Sequence, residues 1–119
     1  MHKTLLLAAY GWLTVFGLAH FLVDVVARRL RNRHDLDAEA VLSYGLHSTY
    51  AMGQVMFGLL ALLIASRNME LLSHPPSLFI AITAAIGWFL IAWLFMDYWE
   101  PKAVAGVFFV LIAAAALTS

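Results

Sequence analysis

Residues 78–96 have the sequence LFIAITAAIGWFLIAWLFM, which contains no charged side chain. A helix needs about 20 mostly apolar residues to cross the hydrocarbon core of a bilayer. This stretch therefore predicts a membrane-spanning helix. Comparable apolar stretches cover about residues 4–27, 38–65 and 102–117, so the sequence predicts four spans in all.

The composition of the whole chain agrees with a membrane environment. Of its 119 residues, 64% are hydrophobic and 12% are charged, against about 45–50% and about 25% in ordinary soluble domains. A soluble domain of this size has too little interior to hide so much apolar surface. We therefore predict one all-α domain over residues 1–119, an integral membrane antiparallel four-helix bundle.

Charge and cysteine content exclude several classes of function. The formal net charge is zero, and no basic run is interleaved with aromatic residues, so a nucleic-acid partner is not expected. The chain has no cysteine, which excludes disulfides, iron–sulfur clusters and cysteine-ligated zinc. The expected partners are the lipid bilayer and either further copies of the chain or a larger membrane complex.

The polar connections contain signals for where helices begin. Asp35 or Asp37 is a suitable N-cap for the second helix. Pro75-Pro76 is incompatible with a helix interior, so we predict a loop there, with Ser77 capping the third helix. Pro101 suits the first position of the fourth helix.

The distribution of positive charge predicts the orientation in the membrane. We define side A as the side of the bundle with the connections around residues 28–33 and 97–102, and side B as the opposite side. Side B carries Lys3 and Arg67. The positive-inside rule then predicts side A in the cytoplasm and both termini outside it. Side A carries five positive residues and two aromatic interface anchors: Arg28, Arg29, Arg31, Arg33, Lys102, Tyr98 and Trp99.

The first apolar stretch also has features of a secretory signal. Lys3 and the run Leu5–Ala9 imitate one, but the stretch is longer than a signal's apolar core of roughly 7–15 residues. We therefore expect it to be retained as a span. Within it, residues 17–24 (GLAHFLVD) resemble a His-x-x-x-Asp opening found in several bacterial membrane proteins. The predicted location is the bacterial inner membrane.

Two histidines are predicted to lie at the same depth. His20 and Asp24 are four residues apart, so they share one helix face. His20 lies about 10 Å inside the helix end near residue 27, at 1.5 Å per residue. His47 lies a similar distance inside the second helix, which starts near Glu39. Because consecutive helices run antiparallel, His20 and His47 should face each other.

Other polar residues are expected at the same side of the bundle. Helical spacing places Ser43, His47, Tyr50 and Gln54 on one stripe of the second helix. The candidate ligand- or proton-binding site therefore has five ionisable residues and three hydrogen-bonding wall residues. They are His20, Asp24, His47, Asp97 and Glu100, with Tyr44, Tyr50 and Gln54.

Several kinds of chemistry fit this set. An ionisable side chain inside a membrane-spanning helix costs about 2.5–3.5 kcal/mol on insertion scales. Because such residues are rare for this reason, a functional role is the standard hypothesis for them. His20, Asp24 and His47 can hold a divalent metal ion. Haem between the two histidines is an alternative that requires room for a porphyrin. The three residues can also simply pair and hold the first two helices together.

The leading functional prediction is binding or passage of a small ligand, proton or cation at the polar cluster on side A. One alternative is a non-catalytic accessory subunit of a larger membrane complex, in which the cluster is structural. Another is a small membrane enzyme that acts on a lipid-like substrate, with Asp24 or His47 as the base. No sequence motif identifies a ligand, a substrate or a reaction.

Overall fold

The computed structural model describes residues 1–31 and 37–118, and these residues form helices without any strand. All of the helices except the short α3 are long and apolar enough to cross a membrane. The helices are α1 (His2–Arg31), α2 (Ala38–Arg67), α3 (Met69–Ser73), α4 (Pro75–Phe95) and α5 (Glu100–Thr118).

The first and second helices are longer than predicted. α1 continues to Arg31 instead of ending near residue 27, and α2 continues to Arg67 instead of residue 65. Asp37 caps α2, because its Oδ1 accepts a hydrogen bond from the backbone N–H of Ala40 at 2.7 Å. This confirms one of the two predicted caps. The other, Asp35, lies outside the described residues.

The predicted boundaries around the third span need correction. The predicted loop contains the short helix α3, and α4 begins at Pro75 instead of residue 78. Proline fits the first helical turn because the N–H that it lacks has no partner there. Ser77 therefore does not cap α4; its hydroxyl donates to the carbonyl of Leu71 at 2.6 Å.

The connection between α4 and α5 is also shifted. α4 ends at Phe95, one residue earlier than predicted, and α5 begins at Glu100, two residues earlier. Pro101 is thus the second residue of α5 and not the first. It still lies in the turn where its missing N–H costs nothing.

α1 is the central element of the packing, because it contacts both α2 and α5, while α4 packs on α5. Small side chains at the contacts let the helices approach closely, including the fully buried Ala81, Ala85 and Ala105. The main buried cluster occupies the half of α1 nearer side B. It includes Leu6, Ala9, Tyr10 and Leu13 of α1 with Phe108, Ile112 and Ala115 of α5.

Glycines determine how closely α1 and α2 approach. A Cβ atom on Gly58 would meet Thr14 and would lie 3.0 Å from the carbonyl oxygen of Tyr10. A Cβ atom on Gly17 would lie 3.0 Å from Cβ of Gln54. The two helices are therefore in close contact over several turns, and this contact fixes which residues face each other on side A.

His2 joins three helices at side B, which was not predicted from the sequence. Its Nδ1 donates to the carbonyl of Ala115 in α5 at 2.6 Å, and the hydroxyl of Ser73 in α3 lies 2.7 Å from its Nε2. His2 and Ser73 are thus used in local packing at this end.

Candidate functional site: the side-A cleft

The last part of α1 departs from regular α-helical geometry. Residues Leu22–Ala27 form a π-helical segment. A π-turn adds a residue to the ring closed by each backbone hydrogen bond, so it changes which side chains face inward. Asp24 and Val25 are buried here, whereas Val23 is exposed. Such segments occur frequently at functional sites, and this one contains the only acidic residue of α1.

Three buried side chains form a hydrogen-bonded line from α1 to α2. Nδ1 of His20 lies 2.8 Å from Oδ2 of Asp24, and Nε2 of His20 lies 3.0 Å from Nδ1 of His47. If Asp24 is ionised, His20 donates through Nδ1–H, and its Nε2 then accepts from Nδ1–H of neutral His47. The His20–His47 contact is the one predicted by depth matching.

Arg28 extends this line towards the side-A surface. Its guanidinium lies 3.6 Å from Oδ1 of Asp24. The same guanidinium lies 5.6 Å from the centre of the Tyr98 ring, a cation–π arrangement. Asp24 thus has a neutral or positive partner on each of its two oxygens. These two partners offset the cost of burying the Asp24 carboxylate inside the bundle.

Tyr98 covers the histidine pair from the connection between α4 and α5. Its hydroxyl lies 3.5 Å from Nδ1 of His47, and its ring is parallel to that of His20 within 8° at 6.5 Å. Burial, followed by the nearby Asp24 carboxylate, raises the pKa of Tyr98 above its ordinary value. The phenol therefore stays protonated at neutral pH and remains a hydrogen-bond donor.

A cleft of about 410 Å³ opens beside this line, between α1, α2 and the start of α5. We call it the side-A cleft. Its volume falls in the range of about 300–1,000 Å³ usual for small-molecule sites. Apolar side chains form much of its wall, and polar groups converge on one part of it. It is lined by Phe16, Ala19, His20, Val23, Asp24, Arg28, Tyr50, Gln54, Tyr98, Glu100, Pro101 and Val104.

The structure brings together most, but not all, of the predicted site. The side-A cleft is lined by five of the predicted residues, and His47 lies directly behind them through its contact with His20. Tyr44 and Asp97 are not among the lining residues, and Asp97 is exposed. Ser43, expected on the same stripe of α2, is exposed as well. The five lining residues are His20, Asp24, Tyr50, Gln54 and Glu100.

Gln54 has a buried amide group without a hydrogen-bond partner. The residue is 1% exposed, and no described polar atom lies in hydrogen-bonding geometry with its Nε2; its nearest polar interaction is a weaker one with the Tyr50 hydroxyl. Leaving a buried polar group unpaired costs about 1–3 kcal/mol. Its neighbour Tyr50, in contrast, donates to the carbonyl of Trp88 at 3.2 Å. Gln54 lines the side-A cleft, so a molecule bound there would lie beside this amide.

The arrangement does not fit the metal ion or the haem considered from the sequence. Over residues 1–31 and 37–118, no three His, Asp or Glu side chains are placed to hold a metal ion. Both ring nitrogens of His20 are already hydrogen-bonded, and the His20 and His47 ring centres lie 5.1 Å apart. A porphyrin does not fit between two rings in direct contact.

Seven lining residues of the cleft are absent from the predicted site, and three of them are charged or aromatic. The spacing of four from Asp24 places Arg28 on the same helix face, but Arg28 was counted with the side-A connection and not with the predicted site. Tyr98 was assigned only to the membrane interface. Phe16 lies four residues before His20 and thus on the same face of α1, which was also available as a signal.

Comparison with protein-family models, with curated proteins and with solved structures finds no match to this chain. The interpretation of the side-A cleft therefore depends on its own geometry.

Proposed function

We propose that this chain is an integral membrane protein that binds a small ligand in the side-A cleft. The observation that carries the proposal is the unpaired amide of Gln54, fully buried beside a cleft of suitable size. A purely structural polar cluster is expected to satisfy its own hydrogen bonds. The Asp24–His20–His47 line meets this expectation, and Gln54 does not.

The proposal includes an antiparallel bundle inserted in a bacterial inner membrane, with side A in the cytoplasm and both termini outside. It is supported by the length and hydropathy of α1, α2, α4 and α5. The residue pairs that meet between α1 and α2 also support it. Tyr10, early in α1, lies beside Gly58, late in α2, whereas His20, late in α1, lies beside His47, early in α2. Self-association and passage of a proton or cation stay predictions.

The cleft has an access route from the lipid as well as from side A. Phe16 and Val23, on the α1 wall, are 38% and 59% exposed. The residues at its side-A end, Arg28 and Glu100, are exposed too. A ligand that partitions into the membrane can therefore reach Gln54 between α1 and α5 without crossing the bundle.

A substitution that fills the cleft tests this function. Val23→Trp places an indole on the cleft wall, so we expect the variant to lose a molecule that the wild-type protein retains through purification. The measurement is solvent extraction and mass spectrometry of both proteins in nanodiscs. Val15→Trp is the matched control, because Val15 lies on the same helix, is 61% exposed and does not line the cleft.

The expected result is a molecule present in wild-type and Val15→Trp protein at near-stoichiometric amount and reduced several-fold in Val23→Trp. An identical set of retained molecules in all three proteins would contradict the proposed function. Native-size analysis of the same samples checks that Val23→Trp has not changed the assembly.

A further inference from the structure

The polarity of the side-A cleft changes along its length. The charged residues that line it, Asp24, Arg28 and Glu100, belong to its side-A end. Gln54 packs against Gly17, which precedes Arg28 by 11 positions, or about 16.5 Å along a helix at 1.5 Å per residue. The deep end therefore offers an amide and apolar walls but no formal charge.

The pairing of the charges argues against a charged ligand. Arg28 is already close to Asp24 and stacks on the Tyr98 ring, so it is not a free anion-binding group. Glu100 at the same end would repel an anion, and Arg28 would repel a cation. A ligand that reaches the deep end must also leave water, which is costly for an ion. These features favour an uncharged molecule.

The unpaired Nε2 atom of Gln54 indicates which polar group the ligand carries. Nε2 of Gln54 is a donor, so it requires an acceptor such as a carbonyl oxygen. A second donor-bearing residue of the cleft, Tyr50, is already bonded to the carbonyl of Trp88. One directed hydrogen bond to a carbonyl at the deep end is thus the specific polar contact that the cleft lacks.

The wall of the cleft favours a flat ring. Four of its lining residues have planar rings, and aromatic rings pack well against one another in offset or edge-to-face arrangements. The ring of His20 already lies 5.4 Å from that of Tyr50 and is parallel to that of Tyr98. The planar lining residues are Phe16, His20, Tyr50 and Tyr98.

We propose that the side-A cleft binds an uncharged, membrane-soluble carbonyl compound with a flat ring, of the quinone class, and that Gln54 Nε2 donates a hydrogen bond to its carbonyl oxygen. This inference depends on the proposed function. An alkyl tail on the ring leaves the cleft between α1 and α5, past Phe16 and Val23, and lies in the lipid.

Tryptophan fluorescence gives a local signal for this test. The Trp12 ring lies 4.1 Å from that of Phe16, and its Nε1 donates to the carbonyl of Val104, so Trp12 borders the cleft. Quinones quench indole fluorescence at short range. In nanodiscs, decyl-1,4-benzoquinone should produce a saturable quenching component in wild-type protein, and this component should disappear in Trp12→Phe.

Gln54→Met is the informative variant, since methionine has a similar length and no hydrogen-bond donor. We expect it to weaken quinone binding by about threefold to tenfold, as for the loss of one hydrogen bond. We also expect ligand-free Gln54→Met to unfold at a temperature equal to or above that of the wild type, because an unpaired buried amide is removed. A merely structural glutamine would give a lower temperature. Val23→Phe, which fills part of the cleft without adding an indole, should strongly reduce the saturable component and provides a second test if Gln54→Met fails to fold.

Three further probes separate the features of the ligand. Decylbenzene has the ring without a carbonyl, dioleoylglycerol has ester carbonyls without a ring, and decanoate carries a negative charge. The inference predicts weaker binding of all three than of the quinone, and no effect of Gln54→Met on decylbenzene. Equal binding of decylbenzene and quinone, preferential binding of dioleoylglycerol or decanoate, or an unchanged quinone affinity in Gln54→Met would overturn it. If wild-type protein still retains another molecule that Val23→Trp loses, the ligand class is wrong while the proposed function stands.

Discussion

Gly58→Ala is expected to lower the free energy of unfolding by about 1–3 kcal/mol, the usual cost of overpacking a tight contact. The added Cβ would meet the side chain of Thr14 and would lie 3.0 Å from the carbonyl oxygen of Tyr10 and 3.1 Å from the backbone N of Thr14. A side chain can rotate away, but two backbone atoms of α1 cannot. The helices must therefore separate, and the measurement is reversible unfolding in detergent micelles.

Gly45→Ala is the control for this effect. Gly45 lies on the same helix, and a Cβ there would have nothing within 4 Å. Alanine is preferred over glycine in a helix interior by about 1 kcal/mol, so this variant should be as stable as the wild type or slightly more stable. Equal stability of Gly58→Ala and Gly45→Ala would show that the close contact of α1 and α2 is not as described.

Asp24→Ala is the second variant for which we expect a large effect. It removes the acceptor for Nδ1 of His20 and leaves the buried imidazole with an unpaired donor, while Arg28 loses its carboxylate partner. A hydrogen bond to a charged group contributes about 1.5–3 kcal/mol, so we expect a loss of this size in the free energy of unfolding. Equilibrium unfolding measures it directly.

Two further experiments show whether the lost stability comes from the contact between Asp24 and His20. Asp24→Asn keeps an acceptor oxygen and should lose less than Asp24→Ala. In a double-mutant cycle with His20→Ala, the two losses should not add, because both substitutions remove the same contact. Additive losses would mean that Asp24 and His20 stabilise the protein independently, against the 2.8 Å contact.

The four long helices were predictable because each has an apolar stretch of sufficient length, a property of composition alone. The His20–His47 contact was predictable too, since counting residues from each helix end gives depth when the helix rise is constant. The π-helical segment was not predictable, because nothing in the sequence LVDVVA distinguishes it from an α-helix.

Which side chains form the cleft, and whether their polar atoms are paired, depends on contacts between helices that a local sequence pattern does not contain. Gln54 was expected to line the site, but whether its amide finds a partner depends on the neighbouring helices. Tyr98 belongs to a connection, where periodicity gives no information on direction, and yet it covers both histidines. Asp97 is its neighbour in sequence and points to the exterior.

We propose that the side-A cleft is a binding site and not only a gap between packed helices. Its most direct test is the unfolding temperature of detergent-stripped protein to which a total lipid extract of the host membrane is returned. A ligand that binds only the folded protein stabilises it by about 2.7 kcal/mol at 100 times its dissociation constant. We predict a saturable rise in wild-type and Val15→Trp protein and a much smaller rise in Val23→Trp. The same rise in all three proteins, or no rise in any, would contradict the claim.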